Sequence, residues 1–209
     1  MIGLNLLYET TICYLWKYVF QKDFGPIFAD NKFKPCFGIY DYHGIVNSFA
    51  KCAFTVISEI RPQGTKLDKY AGKIARQVKS LLANCIPPEQ ITVAGFSKVA
   101  TIALLVSSKL KNPGVNFVVM GLCGHNEPRV RKHYNKRLAR SLQFIQGCFL
   151  SIYDFSELKC AEFQTILKNV SAKITFKEIM LKNGLGHSMF YRPRRDWIEP
   201  IAAWINQRH

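Results

Sequence analysis

Apolar positions along the chain switch between two periods. Over 67–82, LDKYAGKIARQVKSLL, the residues Leu67, Tyr70, Ala71, Ile74, Val78, Leu81 and Leu82 fall mostly three or four apart, which predicts an amphipathic helix. Pro87 and Pro88 stop its continuation. Short runs rich in β-branched and aromatic residues, FTVISEI at 54–60, ITVAG at 91–95, NFVVMGL at 116–122 and CFLSIYD at 148–154, read instead as strands. The unbroken apolar character of 116–122 suits a central parallel strand covered on both faces. A further strand opens the segment 174–193, and a first strand is predicted at about 12–20. ATIALLVSSKL, at 100–110, makes an apolar helix closed by Pro113-Gly114, and 159–169 and 194–207 complete the helices. In the last of these, Trp197, Ile198, Ile201, Ala202, Trp204 and Ile205 form an apolar face predicted to dock on the sheet. The sum is an α/β three-layer sandwich with a mostly parallel sheet of about six strands.

Three of these segments carry candidate chemistry. ITVAGFSKVAT, at 91–101, delivers Ser97 from a strand into a small-residue turn followed at once by a helix, the local form of a nucleophile elbow. CFLSIYD ends in Asp154, and ITFKEIMLKNGLGHSMFYRP is a strand, a glycine-bounded loop and then His187. Serine, acid and histidine in this chain order differ from the orders of the chymotrypsin and subtilisin types. Each residue also has a plainer reading. Ser97 alone suits a helix N-cap. Asp154 alone suits a turn, because a short carboxylate bonds nearby backbone amides. His187 alone is a loop histidine, although Gly184 and Gly186 before it permit the backbone reversal that a histidine loop needs. His43, at a predicted helix start, and His125, in a polar loop, are read as structural or exposed.

Composition bounds the picture. The 209 residues, 48% of them hydrophobic, can form one α/β domain over 1–209, with 1–11 a short lead. Seven scattered cysteines, with no C-x-x-C pair, indicate free thiols and a cytoplasmic location. Histidines and cysteines show no metal-ligand spacing, and neither G-x-G-x-x-G after a strand nor G-x-x-x-x-G-K-[ST] occurs, so no metal and no cofactor are expected. The apolar N-terminus is interrupted by Glu9 and Lys17 and lacks a basic n-region, so neither an export signal nor a membrane span is predicted. The formal net charge of +15 concentrates at RVRKHYNKRLAR, 129–140, and at Arg192, Arg194 and Arg195. Val130, Tyr134, Leu138 and Leu142 recur every four residues, so the first patch reads as a packed surface helix with solvated cations, in preference to a nucleic-acid or acidic-lipid contact.

GFSKVATIALL around Ser97, LSIYDFSE around Asp154 and GLGHSMFYRPRRDWIEPIAAWI after the last strand together resemble a small serine hydrolase of the α/β-hydrolase superfamily, compact and without a large cap. The likeness runs from about residue 12 to the C-terminus, and 40–65 is similar to the helix, strand and loop that precede the elbow in such proteins. The resemblance implies Ser97 as nucleophile, His187 as general base and Asp154 as the group that orients His187, with Glu157 as the substitute acid. It implies acyl transfer through an acyl-enzyme on a small ester, thioester or amide, of the carboxylesterase type. It also implies the amide of Lys98 as one oxyanion donor. The second falls at Trp16 and Lys17, where compact hydrolases usually carry His-Gly. Val99 is a further departure, since the fifth elbow position is normally Gly or Ala. Two functions therefore stay open: a hydrolase of small acyl substrates, and a non-catalytic protein of the same fold that binds a small ligand or a protein partner.

Overall fold

A computed structural model of the chain describes residues 12–16, 40–58, 66–122, 140–157 and 174–207, with single positions 163, 167 and 170; of 12–16 and Lys98 it describes the backbone. Six parallel strands form one sheet in the order β2-β1-β3-β4-β5-β6. They are β1 (Ile12–Trp16), β2 (Thr55–Val56), β3 (Ile91–Phe96), β4 (Asn116–Met120), β5 (Cys148–Asp154) and β6 (Thr175–Leu181). Helices among the described residues include α1 (Tyr42–Lys51), α2 (Leu67–Ala83), α3 (Lys98–Leu110) and α4 (Arg195–Asn206). The predicted three-layer α/β class is what the chain adopts.

Alternate residues of each central strand serve opposite layers. Ile91 and Val93 of β3, Phe117 and Val119 of β4 and Phe149 of β5 join Ile74 and Val78 of α2 and Ile102 and Val106 of α3 in one core. Ala94 and Phe96, Val118 and Met120, and Leu150 and Ile152 join Ile45 and Phe49 of α1 and the apolar face of α4 in the other. Because both faces are covered, β3 and β4 are buried at every position, which is why their sequences show no polar alternation. In α4, Trp197, Ile198, Ile201, Trp204 and Ile205 are all buried, so this helix docks on the sheet as its spacing predicts.

Two strands are shorter than their apolar runs. β2 pairs with β1 only through Ile12↔Thr55 and Cys13↔Val56, and as an edge strand it ends where that ladder ends. β4 stops at Met120 because Gly121 turns the chain away at φ 49. Of the predicted first strand, 17–20 lie outside the described residues, as do the helix of the basic patch over 129–139 and most of that at 159–169.

The junction of β3 and α3 is tight enough to require glycine. A Cβ on Gly95 would lie 2.8 Å from the Ala100 nitrogen and closer still to the Val99 carbonyl. Val99, where Gly or Ala is usual, is accommodated at this junction: it is its backbone that approaches Gly95, while the residue is 1% exposed in the core shared with α2. We predict that Gly95→Ala lowers stability by about 3 kcal/mol, since backbone atoms cannot yield as a side chain can, whereas Val99→Ala costs about 1 to 2 kcal/mol through lost packing alone. Urea unfolding of the two variants checks the order.

Candidate active site

In a parallel sheet every C-terminal strand end opens on the same edge, and the candidate residues gather there. Ser97 follows β3, Asp154 closes β5 and is followed by Glu157, and His187 follows β6. Trp16 ends β1 in register with Gly95, two residues before the serine; Lys17 lies outside the described residues.

Ser97 sits at φ 56 and ψ −122, a conformation strained for a residue with a Cβ. Its amide donates to the Met120 carbonyl at 2.9 Å, and its carbonyl accepts from the Ala100 amide at 2.9 Å, so β4 and the first turn of α3 grip it from both sides. Ser97 holds the N-cap position of α3, but its hydroxyl makes no capping bond to the helix. The Lys98 amide is the first of α3, at the end of the helix where the leading N–H groups lack the usual carbonyl four residues back, so a developing negative charge is favoured there.

His187 lies in a 3₁₀ turn, Gly186–Tyr191, entered through Gly184 at φ 71 and Gly186 at φ 54. Its Nδ1 is 2.6 Å from Glu157 Oε1, and the two side chains are 15% and 11% exposed. This geometry corrects the expected pairing with Asp154. Asp154 is fully buried, and its Oδ1 accepts from both the amide and the hydroxyl of Ser156, so the carboxylate folds into its own turn, as short acidic side chains do. Glu157 carries one more methylene and stands three residues further on, past the turn, from where it reaches the imidazole. The turn is itself closed by the Glu157 amide bonding the Asp154 carbonyl at 3.0 Å. The Asp-x-Ser pattern of 154–156 was the signal in the sequence that the first acid would be consumed locally.

Asp154 nonetheless supports the histidine segment. Burial alone would raise its pKa, but the hydroxyl and amide of Ser156 and the nearby amides of Gly186 and Asn183 outweigh it and hold the carboxyl below its ordinary range. Oδ2 makes no hydrogen bond of ordinary geometry, so the last two amides act on the charge without closing on the oxygen. Asn183 is in turn fixed by its side-chain bond to Asp196 of α4 at 2.9 Å. His43 is exposed on α1, and His125 lies outside the described residues. Among the described residues no cluster of three or more His, Cys, Asp or Glu could hold a metal ion, and no helix is long and apolar enough to cross a membrane. Arg194 and Arg195 pair with Asp196 and Glu199.

No protein-family model and no curated protein matches the sequence. Solved structures match nearly its whole length. One is a chain described with LipS and LipT, two metagenome-derived lipolytic enzymes, at TM-score 0.64 and 10% identity, with 94% of each chain covered. A lipase-esterase related protein from Clostridium acetobutylicum matches at TM-score 0.55 and 15% identity, over 96% of this chain and 95% of that one. A thioesterase domain from the curacin biosynthetic pathway matches at TM-score 0.55 and 10% identity, over 95% and 92%. At such identities the likeness is one of fold, and the fold is that of the compact α/β-hydrolases.

Because the Asp154 carboxyl titrates lower in the folded chain than in the unfolded one, its stabilisation is complete above the unfolded value of 3.8 and is lost as pH falls through the folded one. We predict that Asp154→Asn lowers stability by about 2 kcal/mol at pH 7, and that its deficit against the parent shrinks below about pH 3.8. Urea midpoints across the acid range test this; a deficit independent of pH would show that the charge of Asp154 is not what holds the turn.

Proposed function

We propose that the protein is a serine hydrolase that cleaves a small ester, thioester or amide through an acyl-enzyme on Ser97. The observation that carries this reading is the backbone of Ser97. It is held at φ 56 with its hydroxyl committed to no capping bond, on the sheet edge that also carries the His187–Glu157 pair. Strain of this kind, maintained by neighbours on both sides, is a property of functional turns. The lipolytic and thioesterase activities named for proteins of the same fold agree with it.

In this reading His187 takes the Ser97 hydroxyl proton as the oxygen attacks the acyl carbonyl. It then passes that proton to the leaving group, and water regenerates the serine by the reverse assignment. Glu157, rather than Asp154, fixes the tautomer by accepting the Nδ1 proton and stabilises the imidazolium that forms. The Lys98 amide serves as one oxyanion donor, and the second is assigned to Trp16, the last residue of β1, or to Lys17, which lies outside the described residues. Asp154 has no direct part in the chemistry.

Fluorophosphonate labelling reads the activated serine without knowledge of the substrate. The parent protein is expected to label, Ser97→Ala and His187→Ala to abolish labelling, and Glu157→Gln to slow it by about a hundredfold or more. Asp154→Asn, at neutral pH and below its unfolding midpoint in urea, is expected to retain most of the rate. Folded parent protein that does not label would sink the proposal and leave the non-catalytic, ligand-binding reading of the same fold. Faster loss in Asp154→Asn than in Glu157→Gln would restore Asp154 as the orienting acid.

A further inference from the structure

The outer face of α2 is a cationic stripe. Lys66 at its N-cap, then Lys69, Lys73, Arg76 and Lys79, follow one another at intervals of three or four residues. At about 100° per residue they share the side of the helix opposite Tyr70, Ala71, Ile74, Ala75 and Val78, which are buried in the core. Lys66, Lys69, Arg76 and Lys79 are exposed, and Lys73 is half-buried with its Nζ 5.6 Å from the centroid of the Tyr70 ring. The helix contains a single acid, Asp68, which lies off the stripe and pairs with Lys109 of α3 at 2.9 Å. Ion pairs elsewhere among the described residues, His187–Glu157, Arg194–Asp196 and Arg195–Glu199, engage none of these cations.

Such a pattern is unfavourable for the chain on its own. Each cation has a like charge three or four residues away, the spacing at which side chains meet on a helix surface and at which like charges repel. Lys66 and Lys69 also stand at the helix end where the macrodipole favours anions, and the last turn, where it favours cations, has no basic residue. The order of charges is therefore the reverse of the one that stabilises a helix. A negative partner lying along α2 relieves both sources of repulsion at once.

Extent and chemistry narrow the partner. From Lys66 to Lys79 the stripe runs for about 20 Å at about 1.5 Å per residue, the dimension of a linear polyanion and not of a single bound anion. The large hydrophobic residues exposed among the described ones, Phe144, Phe155, Phe176, Met180 and Leu185, all belong to other elements. The face thus lacks the apolar groups that insert into a membrane and the apolar or aromatic centre of a protein interface. It also presents no exposed ring on which an unpaired base could stack. What it presents is a line of point charges, which matches the phosphates of a duplex, spaced at about one charge per 1.7 Å of axis.

We propose that the α2 stripe is a docking surface for a nucleic-acid duplex, held through its phosphodiester backbone and not through base edges. The net charge of +15 draws a polyanion toward the protein from any side, and the stripe fixes where it lies. None of the candidate active-site residues belongs to this surface, and docking here requires no hydrolase activity.

The test uses the full chain and a fluorescent mixed-sequence DNA duplex of about 20 base pairs, with affinity read by anisotropy from about 50 to 200 mM salt. Log affinity is expected to fall against log salt with a slope between about −4 and −5, at about 0.9 for each of the five cations that meets a phosphate. The double variant Lys69→Gln/Arg76→Gln should weaken binding and make the slope shallower by about two. Lys51→Gln/Lys177→Gln removes the same charge from exposed positions on α1, across the sheet from α2, and on β6. It should leave the slope near the parental value. All four side chains are exposed, so both variants are expected to keep the parental circular dichroism.

A parent protein that does not bind the duplex at the lowest salt overturns the proposal. An equal loss in the two variants also overturns it, because net charge and not the stripe would then hold the duplex. A single strand of the same length bound as tightly as the duplex removes the duplex as occupant. So does stripe-dependent binding of phosphatidylserine vesicles or of polyglutamate when the duplex shows no dependence on the stripe.

Discussion

A residue with a Cβ holds φ 56 and ψ −122 only where its surroundings over-determine it, and at Ser97 they do so by close approach of two backbones. The first turn of α3 presses on Gly95 so tightly that no β-carbon fits, while the amide of Ser97 is tied across to Met120 of β4. The parallel register of β3 and β4 therefore fixes where α3 begins, and the start of α3 fixes where the hydroxyl of Ser97 stands. The two hydrophobic cores maintain this contact from outside. α3 cannot lift without exposing Ile102, Val106 and Val99 on the side of α2, and β3 cannot shift without disturbing Phe96 and Ala94 on the side of α4.

How much of this could be read from the residues varied with the kind of pattern. β3, β4 and β5 were legible because burial on both faces leaves long unbroken apolar runs, and α2 was legible because one face alone is buried. β2 is shorter than its run for an edge-strand reason: 54–60 has the composition of a strand, but among its described residues, 54–58, only Thr55 and Val56 have a partner. Ser97 and His187 could be singled out because glycine and serine at those positions imply backbone reversals. Position along the strand pointed to Asp154, but the carboxylate that meets Nδ1 is that of Glu157, while Asp154 accepts from Ser156. No periodicity records that a carboxylate three residues past a strand end can arrive where the one at the strand end cannot.

Val99 illustrates the same limit from the other direction. A β-branched residue in the elbow suggests steric conflict when position is judged alone, because the small residue usually there sits close to the strand. The close approach is in fact made by the backbone carbonyl of Val99 against Gly95, while the residue is buried in the core shared with α2. The glycine that matters to the geometry is the first of the motif, which this chain keeps.

In the hydrolase reading, the carboxylates of Asp154, the last residue of β5, and of Glu157, three residues on, take separate parts. Asp154 holds charge in a buried turn and steadies the approach to His187 through the amides of Asn183 and Gly186, while Glu157 meets the imidazole itself. Separating the tasks has a physical advantage. A carboxylate that is already accepting from Ser156 cannot also follow a moving imidazole, because its oxygens are fixed by the backbone of its own turn. A longer side chain borne on that turn can adjust to the ring while the turn stays rigid.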